Sequence, residues 1–329
     1  MRYITNPGYL RAVLILVIAA STLTACEKEI TVDLPTTDPR VVVEGTIETG
    51  QAPLVILSRT QGFFDPTSVE SIAGSFISEA TVQVFDGTTM HVLDRVCSSL
   101  IPDSLLEEAA AITGIDVSLL ANANICVWTK LDNSILGVDG RTYRLEVETE
   151  GRSLRSTTTI PISTGADSLW FKLAQQQPND DSLGFIWARI VDPDTLGNQY
   201  RWMAQRLNAG PDGDPKDDGY IAPFFSVYED RFVNGLTFDF SFARGSYEFS
   251  TAEDDENEER GYFKRGDTVA VKFINLGRAE FLFYNSFQNN AATQGDVFST
   301  PTNIISNIEG GLGVWAGYGI RLDTVVCVP

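Results

Sequence analysis

Thr142–Thr149 (TYRLEVET) alternates apolar and polar residues almost one for one, and Arg40–Glu48 (RVVVEGTIE) is a short, β-branched run read with the same period. Successive side chains of a strand point to opposite faces, so this alternation suits a half-buried strand and no helix. The same period runs through Leu54–Arg59, Thr81–Phe85, Met90–Val96 and Ser153–Ile160, and then through Ser168–Gln175, Leu183–Val191, Gln199–Leu207, Leu236–Ala243 and Thr268–Asn275. Asp86-Gly87 and Glu150-Gly151 separate some of these runs as turn pairs do. A mainly β chain is expected, with two β-sandwich-like domains, the N-terminal one immunoglobulin-like. Ile160–Gly165 (IPISTG) reads as the junction, which places the domains at residues 40–162 and 163–329.

One stretch breaks the alternation. Pro102–Asn124 is rich in Ala and Leu, Ser104-Leu-Leu-Glu107 has the spelling of a capping box, and Asp116 can cap a second short helix. A helical insertion over residues 98–125 is expected, pinched at its base by a disulfide between Cys97 and Cys126. Closing that loop would stabilise the fold by roughly 3 kcal/mol. Cys327 then reads as a buried strand thiol. In the second half one helix is expected at Arg278–Asn290, with Phe281, Tyr284 and Phe287 spaced three apart. The last strands are expected at Leu312–Arg321 and Leu322–Val328.

The N-terminus is a targeting segment. Arg2 and Arg11 precede an apolar run, Ala12–Ala20, that is too short to span a membrane and suits a signal-peptide core. Leu23-Thr24-Ala25-Cys26 matches the bacterial lipobox, so residues 1–25 are expected to be removed and Cys26 to carry lipid. Several acyl chains hold a protein at a membrane durably. Residues 26–39 (CEKEITVDLPTTDP) then read as a polar tether. Residues 1–25 hold two of the 24 basic residues and none of the 44 acidic ones, so the remainder carries a formal charge of −22. That balance argues against nucleic acid, whose phosphates need clustered Lys and Arg.

Catalytic and metal-binding material is sparse. A Ser-His-Asp triad would have to use His91, a phosphate-loop spelling is missing, and no particular carboxylate pair stands out among 44 acids for glycoside hydrolysis. With one histidine and no C-x-x-C, zinc has little to bind, and no cofactor is expected. Asp212, Asp214, Asp217 and Asp218 form a calcium candidate, but Lys216 interrupts the ligand spacing, and a solvated loop tip explains the run as well. Gly311-Leu-Gly313-Val-Trp-Ala316 has the dinucleotide-turn spelling, yet a polar loop precedes it and the chain has no room for the helix and acid that should follow. Gly311, Gly313, Gly317 and Gly319 instead share one face of a strand. Such a face suits close approach by a neighbouring strand or helix, or by a ligand.

An Asp-Ser/Thr-apolar unit recurs at Ser104, Ser168, Ser182 and Thr195, and again at Asp267-Thr-Val and Asp323-Thr-Val. It resembles the acceptor motif of an O-glycosylation system of exported Bacteroidetes proteins. Turn-to-strand punctuation accounts for the last two copies equally well.

Further pieces resemble one family across the chain: Val41-Val-Val-Glu-Gly45, Ala80–Val84, Tyr143–Val147, Asp192-Pro-Asp194 before Tyr200, Asp230–Gly235 (DRFVNG), and Phe298–Pro301 leading into Asn307-Ile-Glu-Gly310-Gly311-Leu-Gly313. These are similar to a domain-of-unknown-function family of Bacteroidetes outer-membrane lipoproteins, often encoded beside TonB-dependent receptors. The resemblance implies an outer-membrane location facing the cell surface and a β-barrel receptor as companion. It carries over no catalytic residue. The expected function is a non-catalytic ligand- or partner-binding accessory of an uptake system, the ligand unknown. A structural or assembly factor of the envelope is the alternative, and a surface hydrolase a further one.

Overall fold

The computed structural model describes residues 38–62, 68–175, 182–210, 213, 215–245, 259, 261–293 and 303–328. Residues 1–25, read above as a signal peptide, and Cys26, Asp212 and Asp214 lie outside the described residues. From Pro39 onward the chain forms one compact unit.

Its strands are β1 (Val41–Glu48), β2 (Leu54–Arg59), β3 (Thr81–Phe85), β4 (Met90–Val92), β5 (Asp94–Cys97), β6 (Cys126–Thr129), β7 (Thr142–Thr149) and β8 (Arg152–Thr159), followed by β9 (Ala166–Leu173), β10 (Leu183–Val191), β11 (Gln199–Arg206), β12 (Val227–Glu229), β13 (Thr237–Phe242), β14 (Phe263–Lys264), β15 (Thr268–Leu276) and β16 (Leu312–Val326). The helices are α1 (Val69–Ser75), α2 (Leu106–Thr113), α3 (Val117–Asn122) and α4 (Arg278–Thr293).

An eight-stranded sheet, ordered β12-β11-β15-β16-β1-β2-β6-β5, is the spine of the unit. It crosses the expected junction at residue 162, because β16 pairs in parallel with β1, Val42 opposite Leu312 and Glu48 opposite Tyr318. The alternation seen in the sequence gives this sheet two different faces. On one face, Val43, Ile47 and Trp315 pack against Val84, Leu145 and Leu154 of a smaller sheet, β4-β3-β7-β8. Further along the same face Trp202, Val271 and Phe273 pack against Ile186, Phe242 and Phe263 of the sheet formed by β9, β10, β13 and β14. Two sandwich-like packings therefore share one central sheet. The other face is covered by helices: α2 and α3 over Ile56 and Val127, and α4 over Ile274, Val314 and Ala316.

Several details differ from the sequence reading. The run Met90–Val96 is two strands, because buried Leu93 marks the point where the chain leaves the β3 sheet for the central one. No turn residue separates Arg321 from Leu322, and β16 continues through both as one strand that exchanges its β1 partner for β15. The capping box at Ser104 does not form. A 3₁₀ turn occupies Asp103–Leu105, and α2 starts without a side-chain cap. Asp116 does cap α3, accepting the Ser118 N–H at 2.8 Å. Cys97 and Cys126 are disulfide-bonded at the base of the insertion, and Cys327 is a free, buried thiol.

The glycine face of β16 is closed by backbone. A Cβ on Gly317 would lie 3.0 Å from the Ile160 nitrogen, and one on Gly319 2.4 Å from the Pro161 oxygen, so the segment leaving β8 crosses directly over this face. Asn307 closes the part of β16 that β15 does not reach. Its amide accepts from the Trp315 N–H and donates to the Trp315 carbonyl, each at 2.9 Å, as a neighbouring strand would. Asn307→Leu should leave both groups unpaired beside a fully buried indole and cost about 2–4 kcal/mol in a urea titration. A loss below about 0.5 kcal/mol would show that water replaces the amide.

Candidate functional site

The helical face of the central sheet carries charge between α2 and α3 on one side and α4 on the other. Even-numbered residues of β1 point to this face, so Glu44 and Glu48 stand beside Val314 and Tyr318 of β16. Odd-numbered residues of β11 do the same, which brings Arg201 opposite Ile274 and Met203 opposite Lys272. α4 supplies Tyr284 from one side. The loop before β12 supplies Tyr220 from the other, and a Cβ on its neighbour Gly219 would sit 3.7 Å from the Ala111 oxygen of α2. The result is a recess with a sheet floor and helical walls.

Its charges are unevenly matched. Lys272 Nζ lies 2.8 and 2.7 Å from the two oxygens of Glu48, and 5.6 Å from the centre of the Tyr220 ring. Burial pushes the Tyr220 hydroxyl up, with the Glu48 charge adding to it. Arg201 stacks over the Tyr284 ring, 4.0 Å from its centre. Beside it the hydroxyls of Tyr284 and Tyr318 hydrogen-bond each other. Burial holds both phenols above the ordinary tyrosine range, although Arg201 draws each down. Arg201 has no carboxylate at ion-pair distance among the described residues, and its Nε is buried without an acceptor. Glu44 is solvent-accessible, yet burial raises its carboxyl pKa and Arg201 only partly offsets this. A group that water reaches but that is poorly solvated sits at the bottom of a concavity.

The residues singled out in the sequence lie elsewhere. Asn307, Gly310, Gly311 and Gly313 belong to the edge and close packing of β16. The paired motifs Asp192-Pro-Asp194 and DRFVNG interlock as turns: Asp192 accepts from Tyr200 and from the Gly235 N–H, and Asp230 accepts from the N–H groups of Gly197 and Asn198. Asp217 of the calcium candidate is buried, and its oxygens accept from Arg206 and Arg244, while Asp218 is exposed. Among the described residues no group of three or more His, Cys, Asp or Glu converges on a metal position. Ser104, Ser168 and Thr195 are exposed, and Ser182 is half-buried. Asp267 works as punctuation, accepting from the Lys264 N–H and from Lys216.

His91 lies 3.3 Å from Asp86 in the β3–β4 turn. The Thr88 hydroxyl donates to Asp86 and not to the imidazole. An open hollow of about 460 Å³ beside the β7–β8 turn is lined by Glu79, Glu148, Glu150 and Arg152. Glu150 is already engaged there by Arg59. The recess residues escape sequence reading because Glu44, Arg201, Tyr284 and Tyr318 are joined only by strand register. In isolation Glu44 and Arg201 read as the solvent face of their strands.

Fold and recess together define a mainly β protein whose central sheet carries a charged cluster bordered by tyrosines on its helical face. The family model described as Domain of unknown function (DUF4249) matches residues 27–321, and the chain belongs to that family. None of the curated proteins compared with it matches the chain.

Proposed function

We propose that the protein is a lipid-anchored, non-catalytic binding protein of the bacterial outer membrane, acting as an accessory to a TonB-dependent uptake system. The observation that carries the binding half of this reading is the recess, where a stacked arginine has aromatic neighbours and no counter-charge in contact. Preformed concavities with a few convergent polar groups are where small ligands bind. The anchor half rests on the lipobox ending at Cys26, together with the family resemblance. Among the described residues no helix is long and apolar enough to cross a membrane.

Crosslinking in native membranes, followed by detergent extraction and affinity capture, is expected to bring down an outer-membrane β-barrel. Cys26→Ser should move the protein to the soluble periplasmic fraction. Capture that never yields a barrel would sink the accessory role, and a Cys26→Ser variant that stays in the membrane would sink the anchor.

A second reading, an assembly factor that contacts protein alone, draws on one observation. Leu196 and Phe232 are 74% and 86% exposed at the tips of two turns that the Asp230 carboxylate clamps together. Apolar side chains held out on a rigid frame suit a protein contact. Capture of periplasmic or envelope proteins without a barrel is the result this reading expects.

A further inference from the structure

We propose that the recess is an oxyanion site: Arg201 anchors a carboxylate or phosphate group of a small aromatic ligand that lies against Tyr284 and Tyr318. This deepens the binding reading above and rests on it.

The contrast between two arginines of one strand carries the inference. Arg206 shows what a structural arginine looks like in this protein. Its Nε, Nη1 and Nη2 all have acceptors, in Asp217, Glu259 and the Lys216 carbonyl. Arg201 lies on the same strand and has no such set. It stacks on Tyr284 and hydrogen-bonds the Tyr284 and Tyr318 hydroxyls, its Nε has no acceptor, and no carboxylate of the described residues is in contact with it, in a protein with 44 acids. A guanidinium N–H left unsatisfied in a protein interior calls for an explanation. The partner that best fits a planar, five-donor fork is a carboxylate or phosphate, gripped through two parallel hydrogen bonds.

The surroundings favour the same group. The two hydroxyls of Tyr284 and Tyr318 own two protons and use one between them, so one O–H remains to donate beside the guanidinium. Lys272 adds positive charge further along the floor but is held by Glu48, which leaves Arg201 as the unmatched cation. Glu44 faces Arg201 without touching it. Tyr220 and Tyr284 offer rings on opposite sides of the floor, so an aromatic body attached to the anion gains contact area.

The test uses the full mature protein and five probes, in calorimetric titration and thermal unfolding: benzoate, phenyl phosphate, inorganic phosphate, benzyl alcohol and benzylamine. Benzoate or phenyl phosphate is expected to bind with a Kd of about 1 mM or tighter and to raise Tm. Benzyl alcohol should do neither. Which of the two aromatic anions binds better identifies the carboxylate or phosphate source, and binding of inorganic phosphate alone assigns the site to phosphate without the aromatic part. Arg201→Lys keeps the charge and loses the fork, and should weaken binding by about tenfold or more. If the Arg201 variant fails to fold, Glu44→Gln at an accessible position decides instead, and it should bind the anions more tightly than the native protein. Anion binding unchanged in Arg201→Lys, or weakened in Glu44→Gln, overturns the assignment. Preference for benzylamine overturns it too but leaves a ligand-binding protein. If no probe binds, the oxyanion assignment falls, while the accessory role is still decided by capture of the barrel.

Discussion

Gly313→Ala is expected to leave little or no folded protein. Gly313 has φ +103°, a conformation side chains rarely adopt, and a Cβ there would lie 1.9 Å from the Val43 carbonyl oxygen and 2.9 Å from the Val43 nitrogen. Both atoms belong to the backbone of β1, directly opposite Gly313 in the parallel ladder. A side chain can rotate away from an intruding methyl, but a strand in the middle of a sheet cannot move without breaking its hydrogen bonds. β1 is also held on its other edge by β2, Val43 opposite Leu57. Strain and overlap together should exceed about 4–5 kcal/mol, a large part of the 5–15 kcal/mol that stabilises a typical domain. Gly50 supplies the control. Its φ is +78° and a Cβ would meet nothing within 4 Å, so Gly50→Ala should cost about 1 kcal/mol, from backbone strain alone. Soluble yield and guanidinium unfolding of the two variants separate the effects. A Gly313→Ala protein within about 1 kcal/mol of the native one would mean that β1 and β16 can part here without loss.

The alternating glycines thus reveal a packing requirement in the sequence, and the structure supplies what packs there. Strands with one buried face were legible for the same reason: Thr81–Phe85, Thr142–Thr149 and Leu183–Val191 begin and end where their alternation does. Strand β6 was not, because Cys126, Val127 and Trp128 are buried in succession and give no period of two. Strands β12 and β14 are too short to show one. Helix α1 buries none of its residues and therefore has no apolar stripe, only the reciprocal Ser68–Ser71 cap at its start. The parallel β1–β16 pair was also hidden. Nothing local in either strand says that the first and last strands of the unit are neighbours.

That pairing is also why the recess was hidden. Its floor is assembled from β1, β11, β15 and β16, and its acids and bases occupy positions that alternation assigns to solvent. The assignment was right as far as water is concerned for Glu44, which is accessible. It missed that α2, α3 and α4 rise on either side and turn part of a polar face into a concavity. A charge at a polar position of a central strand, matched by a tyrosine on the packing side of the helix above it, is the local signal that was present and unread. For the DRFVNG and Asn307–Gly313 blocks the inference runs the other way. Turns, strand-edge pairing and close backbone approach account for these blocks, so the strongest sequence motifs here mark the frame.

The frame's most heavily charged joint should be its second most sensitive point. Asp217, 1% exposed in its side chain, receives Arg206 at 2.8 Å and Arg244 at 3.2 Å, and Glu259 receives Arg206 at 2.6 Å and Lys216 at 3.4 Å. Asp217 also accepts the backbone N–H of Arg206 at 2.8 Å. The arginines are 5% and 10% exposed in their side chains, and burial together with repulsion from Arg206 holds the Arg244 pKa below its ordinary value. Asp217→Leu would leave two buried guanidinium groups facing each other with Glu259 as the remaining carboxylate on Arg206. Breaking a buried pair from one side costs about 3–5 kcal/mol, because the surviving charge stays desolvated. Replacing both members by apolar residues removes that charge, so Arg206→Met combined with Asp217→Leu should be less destabilised than Asp217→Leu alone. Urea unfolding of the single variants and the double variant measures the coupling. Additive losses, with the double variant the weakest of the three, would mean that the joint acts through packing and not through charge. Arg201 gives the comparison its functional edge: Arg201→Met removes a cation with no carboxylate in contact, so it should cost the fold far less than Asp217→Leu does.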